Sequence, residues 1–120
     1  GDIEQAQKIL QQSLEIAQKL NAKQDIAETL LSLGNAARAR KNIPAALTYY
    51  EQVETTPSSN TQLQARLNRL SLLLEEKQLS KAQELLPIIQ NNLANFPPSR
   101  TSVYARINLA QTLLKFGNES

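Results

Sequence analysis

The chain has 120 residues, 41% hydrophobic and 20% charged, with a formal net charge of +2. That is the balance of a folded globular chain, one domain or a short run of repeats, and it is too weakly basic to point to a phosphate-backbone partner. With Cys 0 and His 0, disulfides, thiolate metal sites and the commonest catalytic triads are excluded.

Aromatics are sparse and the apolar content is carried by Leu and Ala, which favours helices over strands. No apolar run approaches the roughly 18 residues of a membrane helix, and no signal peptide is visible. The chain opens Gly1-Asp2-Ile3 and contains no Met. It therefore reads as a piece of a longer protein, with any targeting signal outside it. The compartment is left open, cytoplasmic by default.

From Asp2 to Leu20 the apolar residues Ile3, Ala6, Ile9, Leu10, Leu14, Ile16, Ala17 and Leu20 recur mostly at spacings of three and four, the pattern of an amphipathic helix. Asp2 is the expected cap. After a break at Asn21-Ala22-Lys23, a second helix runs from about Gln24 to Arg40, with Ile26, Ala27, Leu30, Leu33, Gly34 and Ala37 on one face. Gly34 costs about 1 kcal/mol relative to Ala inside a helix, so a packing reason is expected for it. Small residues fall where two helices would cross, Gly34 and Ala37 on one and Ala46 on the next, flanked by Leu30, Leu33, Leu47 and Tyr50.

The third helix is capped by Asn42, carries Pro44 in its first turn and runs to about Thr55. Pro57-Ser58-Ser59-Asn60 is turn and cap chemistry. A fourth helix spans about Thr61 to Lys77, with Leu63, Leu67, Leu70, Leu73 and Leu74 on its apolar side. The fifth runs from near Leu79 to near Phe96, with a kink expected at Pro87. After Pro97-Pro98, the sixth runs from about Ser99 to Phe116 with Val103, Ile107, Leu109, Ala110, Leu113 and Leu114. Short loops make successive helices antiparallel.

These helices repeat. Ile3-x-x-Ala6, Ile43-x-x-Ala46 and Leu79-x-x-Ala82 open three of them in one context, with Leu10, Tyr50 and Leu86 four residues further on. The intervals are 40 (46 − 6) and 36 (82 − 46) residues. Gly34, Leu70 and Ala110 form a second series, spaced 36 (70 − 34) and 40 (110 − 70). The step from marker to alanine is 12 in both complete hairpins, 34 to 46 and 70 to 82. The units fall at about 1–41, 42–77 and 78–117.

On these residues the chain resembles the tetratricopeptide repeat (TPR) family. The best match runs from Ala27 to about Ser58, with the family's positions filled by Leu30, Leu33-Gly34, Ala46, Tyr50 and Val53, and by Pro57 one position early. Ala37 stands where the family usually has Tyr. The long periods and the phrase from Leu14 to Leu20 look like the kinesin-light-chain-like variant, and similar arrays occur in larger bacterial multidomain proteins. The resemblance implies an all-α fold: an α-α superhelix, a TPR-like solenoid of six antiparallel helices whose first helices line a concave groove. It also implies a protein-interaction module rather than an enzyme.

Nothing in the residues opposes that. Glu75 and Glu76 are adjacent on a helix and do not face each other, so they make a poor acid–base pair. The chain has only 3 glycines, too few for a phosphate loop. No catalytic, cofactor or metal residues are assigned. The polar side of the first helices is the candidate site. Glu28, Leu31, Asn35 and Arg38 share one stripe of the second helix. The matching positions are Gln64, Leu67, Asn68 and Ser71 on the fourth helix, and Tyr104, Ile107, Asn108 and Gln111 on the sixth. Amide side chains there can bond a peptide backbone, and Arg38 can hold a carboxylate. The arrangement is similar to the carboxylate clamp of chaperone-binding family members. Asn35 and Asn108 match its asparagines; its lysines are absent.

The expected function is therefore binding of a peptide, or of a partner or sister domain, in this groove. The alternative is a structural spacer or assembly segment with no groove ligand. A third expectation, single-stranded RNA binding through Arg66, Arg69, Arg100 and Arg106, has no basic or aromatic array behind it. The repeat register adds one more expectation. Gly1-Asp2 and Gly117-Asn118 occupy the same turn of the repeat, so the terminal helices should expose apolar faces and favour self-association.

Overall fold

The computed structural model describes residues 1–117, and the Asn118 part of the last expected turn lies outside them. The described residues form helices and turns with no strand. The helices are α1 (Asp2–Leu20), α2 (Lys23–Ala39), α3 (Ile43–Glu54), α4 (Ser59–Glu75), α5 (Leu79–Asn95) and α6 (Arg100–Phe116). The expected boundaries hold to within two residues. Two compact units divide the chain, Gly1–Ala65 and Arg66–Ser120, with the boundary inside α4.

The turns show why the helices stop where they do. Asn21, Lys41 and Lys77 have φ of 53°, 62° and 58°. Each closes a helix with the same pair of bonds. At α1 these are Asn21 N–H to Gln18 O and Ala22 N–H to Ala17 O; at α2, Lys41 to Arg38 and Asn42 to Ala37; at α4, Lys77 to Leu74 and Gln78 to Leu73. This is the Schellman arrangement, which satisfies the last free carbonyls with one left-handed residue. Two of the three sites hold lysine, which tolerates that conformation less well than glycine or asparagine.

Helix starts follow the expected chemistry with one correction. The Asn42 side chain accepts the Ala45 N–H at 3.3 Å, and Pro44 sits in the first turn. Ser99 and Ser102 form a reciprocal capping box at α6, each backbone N–H bonding the other's hydroxyl at 3.1 Å. Asp2, in contrast, is not a cap. Gly1 occupies that position, and Asp2 and Glu4 lie in the first turn, where their charge complements the helix dipole. Pro87 lies within α5, which continues unbroken from Leu79 to Asn95.

In the first unit the core is the α2–α3 hairpin. Ala27, Leu33, Ala37, Ala46, Tyr50 and Val53 are buried. A Cβ on Gly34 would stand 2.6 Å from Tyr50 Cε1 and 2.8 Å from Cδ1. The glycine is therefore there because the ring lies against its backbone, as the cost of a helical glycine suggested. α1 packs on α2 and buries only Leu14 and Ala17. In the second unit Leu70, Leu72, Leu73, Leu85 and Ile89 are buried, and α6 adds Ala105 and Leu109. Every buried side-chain N or O atom among the described residues has a partner.

Candidate functional site

The α2 row follows from helical geometry. Leu30, Leu33 and Ala37 turn into the core, so residues offset from them around the helix face outward. Glu28 and Asn35 are exposed, and Leu31 and Arg38 are half-buried. Gln64, on the α4 segment of the same unit, is exposed. In the second unit Asn68 and Ser71 are half-buried on α4, while Tyr104, Asn108 and Gln111 are exposed on α6. The two residues that completed these rows divide. Ile107 is exposed at 46%, but Leu67 is buried at 3% and belongs to the core, a correction to its place in the stripe.

Side-chain bonds hold parts of the first-unit row. Gln24 Nε2 donates to Glu28 Oε1 at 3.0 Å and to Thr61 Oγ1 at 3.2 Å, which ties the start of α2 to the start of α4. The Tyr50 hydroxyl, at the end of a ring whose side chain is fully buried, donates to Asn35 Oδ1 at 2.7 Å. The ring that packs on Gly34 thus also fixes the orientation of the Asn35 amide. An oriented amide loses less entropy on binding than a free one. On α6, Thr112 Oγ1 and Asn108 Oδ1 lie 3.4 Å apart.

Residue types alone missed the Tyr50–Asn35 link, since the partners are 15 residues apart. The arginines named for RNA also have structural work. Arg66 Nη1 donates to Asn92 Oδ1 at 2.7 Å, and Arg106 Nη2 donates to Leu93 O at 2.8 Å, both bracing α5. Tyr49 is half-buried and lines a cleft with Gln7, Gln11, Leu33 and Arg40, so it faces α1 rather than open solvent. A second cleft missed by the sequence lies in the second unit. It is apolar, about 420 Å³, and lined by Leu70, Leu74, Leu79, Leu86, Leu113 and Phe116 among others.

Among the described residues no group of three or more Cys, His, Asp or Glu side chains is placed to hold a metal, and no helix is long and apolar enough to cross a membrane.

With this geometry in place, comparison with known proteins is specific about one part of the chain. The family model for the tetratricopeptide repeat matches residues 1–56. No curated protein and no solved structure matches. The matched segment holds α1, α2 and α3, including the Gly34–Tyr50 packing. The described residues form an all-α helical repeat, TPR-like in the segment that the family model matches, and tetratricopeptide repeats generally mediate protein–protein interaction.

Proposed function

We propose that the chain is a protein-interaction module, a single TPR-like domain with repeats at about 1–41, 42–77 and 78–117, that binds a peptide segment or a partner or sister domain through the polar rows of α2, α4 and α6. The observation that carries this reading is the bond from Tyr50 to Asn35. A core aromatic of the repeat holds an exposed amide in place on the row that the family resemblance assigns to ligand. In this reading Asn35 and Asn108 each engage peptide backbone, Arg38 contributes charge, and Leu31 gives an apolar contact on the same helix as Asn35. The kinesin-light-chain-like variant and an origin in a larger bacterial protein belong to the same proposal, supported by the long repeat intervals.

The test is a displayed library of extended peptides selected on the immobilised protein. Peptides that bind should lose binding to the triple variant Asn35→Ala, Arg38→Ala, Asn108→Ala by roughly a hundredfold, the effect of three lost polar contacts at about 1 kcal/mol each. The helical circular dichroism should be unchanged. Selected peptides that bind the triple variant as tightly as the parent would overturn the assignment of the row. The spacer reading has no comparable observation behind it.

A further inference from the structure

The cleft that Tyr49 lines in the first unit measures about 410 Å³, within the size range of small binding sites. α1 gives it Glu4, Gln7, Lys8 and Gln11, and both α1 and α3 pack on α2. It lies away from the polar row of α2. Its two contributions from that side of the chain, Leu33 and Arg40, stand two residues from Leu31 and Arg38, about 200° around a helix.

The repeat leaves this surface open. At the interval of 40, the stripe Glu4, Gln7, Lys8 and Gln11 becomes Pro44, Leu47, Thr48 and Glu51 on α3. None of those four is buried, although α3 has a helix before it and a helix after it in the chain. The side chains, in contrast, do not recur. Lys8, Gln11, Arg40 and Tyr49 give way to Thr48, Glu51, Glu76 and Leu85 at the repeat intervals of 40 and 36. The basic and amide character therefore belongs to this one cleft and is not a requirement of the fold.

One cation is already held in place. Arg40 Nη1 donates to Gln7 Oε1 at 2.6 Å, and Arg40 Nη2 lies 3.6 Å from Glu4 Oε1. Gln7 carries no charge, and the Glu4 side chain is 62% exposed, so the guanidinium charge is only partly answered. Lys8 adds a second cation. Among the described residues no hydrogen bond or ion pair engages the side chains of Lys8, Gln11 or Tyr49. Two cations against one carboxylate favour an anion, and a fixed guanidinium suits a carboxylate. Leu33 and the half-buried Tyr49 ring supply apolar surface beside them.

We propose that this cleft is a second binding site, for an acidic peptide segment. A glutamate or aspartate carboxylate of the segment sits between Arg40 and Lys8 and displaces Glu4. The apolar side chain next to it rests on Leu33 and Tyr49, and Gln11 bonds the segment's backbone. This goes beyond the reading of the polar rows and uses none of their residues, so the two stand or fall separately.

The test is an NMR titration of the isotope-labelled protein with the capped tetrapeptide Ala-Glu-Phe-Ala. Saturable amide shifts should centre on Gln7, Lys8, Gln11 and Arg40. Replacing the peptide's glutamate by glutamine should weaken binding by about fivefold, the upper value of one exposed ion pair, and Arg40→Gln and Lys8→Gln should each do the same. Glu4→Gln should tighten binding by about twofold, because a resident competitor is gone. Lys19→Gln makes the same change in net charge near the far end of α1 and should leave binding as it is, as should the triple variant of the polar row. All four single positions are exposed, so circular dichroism should show intact helices. Acetate, which has the charge without the apolar body, should bind more weakly than the peptide. No saturable shift at millimolar peptide, shifts centred on the polar row, a glutamine peptide that binds equally well, or a loss with Lys19→Gln as large as with Arg40→Gln overturns the proposal. A Glu4→Gln variant that binds no tighter overturns the displacement, and acetate binding as tightly as the peptide overturns the apolar contact.

Discussion

The hairpins α2–α3 and α4–α5 close with the same turn but cross with opposite choices of side chain. Lys41 and Lys77, 36 residues apart, have φ of 62° and 58° and direct the same pair of Schellman bonds. At the crossing, α2 offers Gly34 and α3 offers Tyr50, with ring atoms where a glycine Cβ would be. α4 and α5 have Leu70 and Leu86 at these places. Tyr50 is fully buried, whereas Leu86 is half-buried beside the apolar cleft of about 420 Å³. Turn geometry thus sets the length of a hairpin, and the pair at the crossing sets how completely it fills. A glycine lets a whole ring in and sends its hydroxyl through to Asn35. Two leucines bury the first of the pair and leave the second at the edge of a cleft.

The largest difference between the hairpins should appear on truncation. Tyr50→Ala should cost about 3–5 kcal/mol, the range for a fully buried aromatic. Leu86→Ala should cost roughly 1–2 kcal/mol, less than the buried-leucine range because the site is already partly open. Urea denaturation of the two variants measures both. The cleft can also be filled. Leu86→Phe should stabilise the chain by roughly 0.5–2 kcal/mol and raise the unfolding midpoint, the usual return on cavity filling, whereas enlarging a side chain at Gly34 should do the reverse. The smallest effect should be common to both hairpins. Lys41→Gly and Lys77→Gly should each stabilise by about 0.5 kcal/mol, since a left-handed lysine costs about 1–2 kcal/mol and the entropy of a free glycine offsets part of that. Similar gains at the two sites, read by thermal unfolding, would confirm that the turns are equivalent; a loss at either would separate them.

Much of this was legible before the structure. Six helices, their spans and the crossing at Gly34, Ala37 and Ala46 follow from apolar spacing and from Asn, Pro and Gly punctuation. What escaped depends on neighbours. Asp2 against Gly1 as the cap is a choice of one residue that local chemistry does not make. The exposure of Ile9, Ile16 and Leu20 on α1, by contrast, was expected from the repeat register, though amphipathic spacing alone shows only that they could be covered. Leu67, however, misled. α4 has leucines at 63, 67, 70, 72, 73 and 74, so its apolar surface is too broad for one stripe to be read as solvent-facing. The boundary between the compact units falls inside α4, where the helical period does not change. In the candidate site the α2 row was readable from period alone. The hydroxyl that orients Asn35 was not, because a residue assigned to the core gives no sign that its polar end reaches the surface.

The claim on which the rest depends is that Gly34 and Tyr50 act as one unit at the hairpin crossing. A double-mutant cycle with Gly34→Ala and Tyr50→Leu tests it directly. In the parent, Gly34→Ala should destabilise by roughly 1–3 kcal/mol through the clash with the ring, despite the gain of about 1 kcal/mol in helix propensity. In the Tyr50→Leu background the clash is gone, and the same substitution should become neutral or stabilising, a coupling of more than about 1 kcal/mol. Substitutions that add to within about 0.5 kcal/mol would contradict the account.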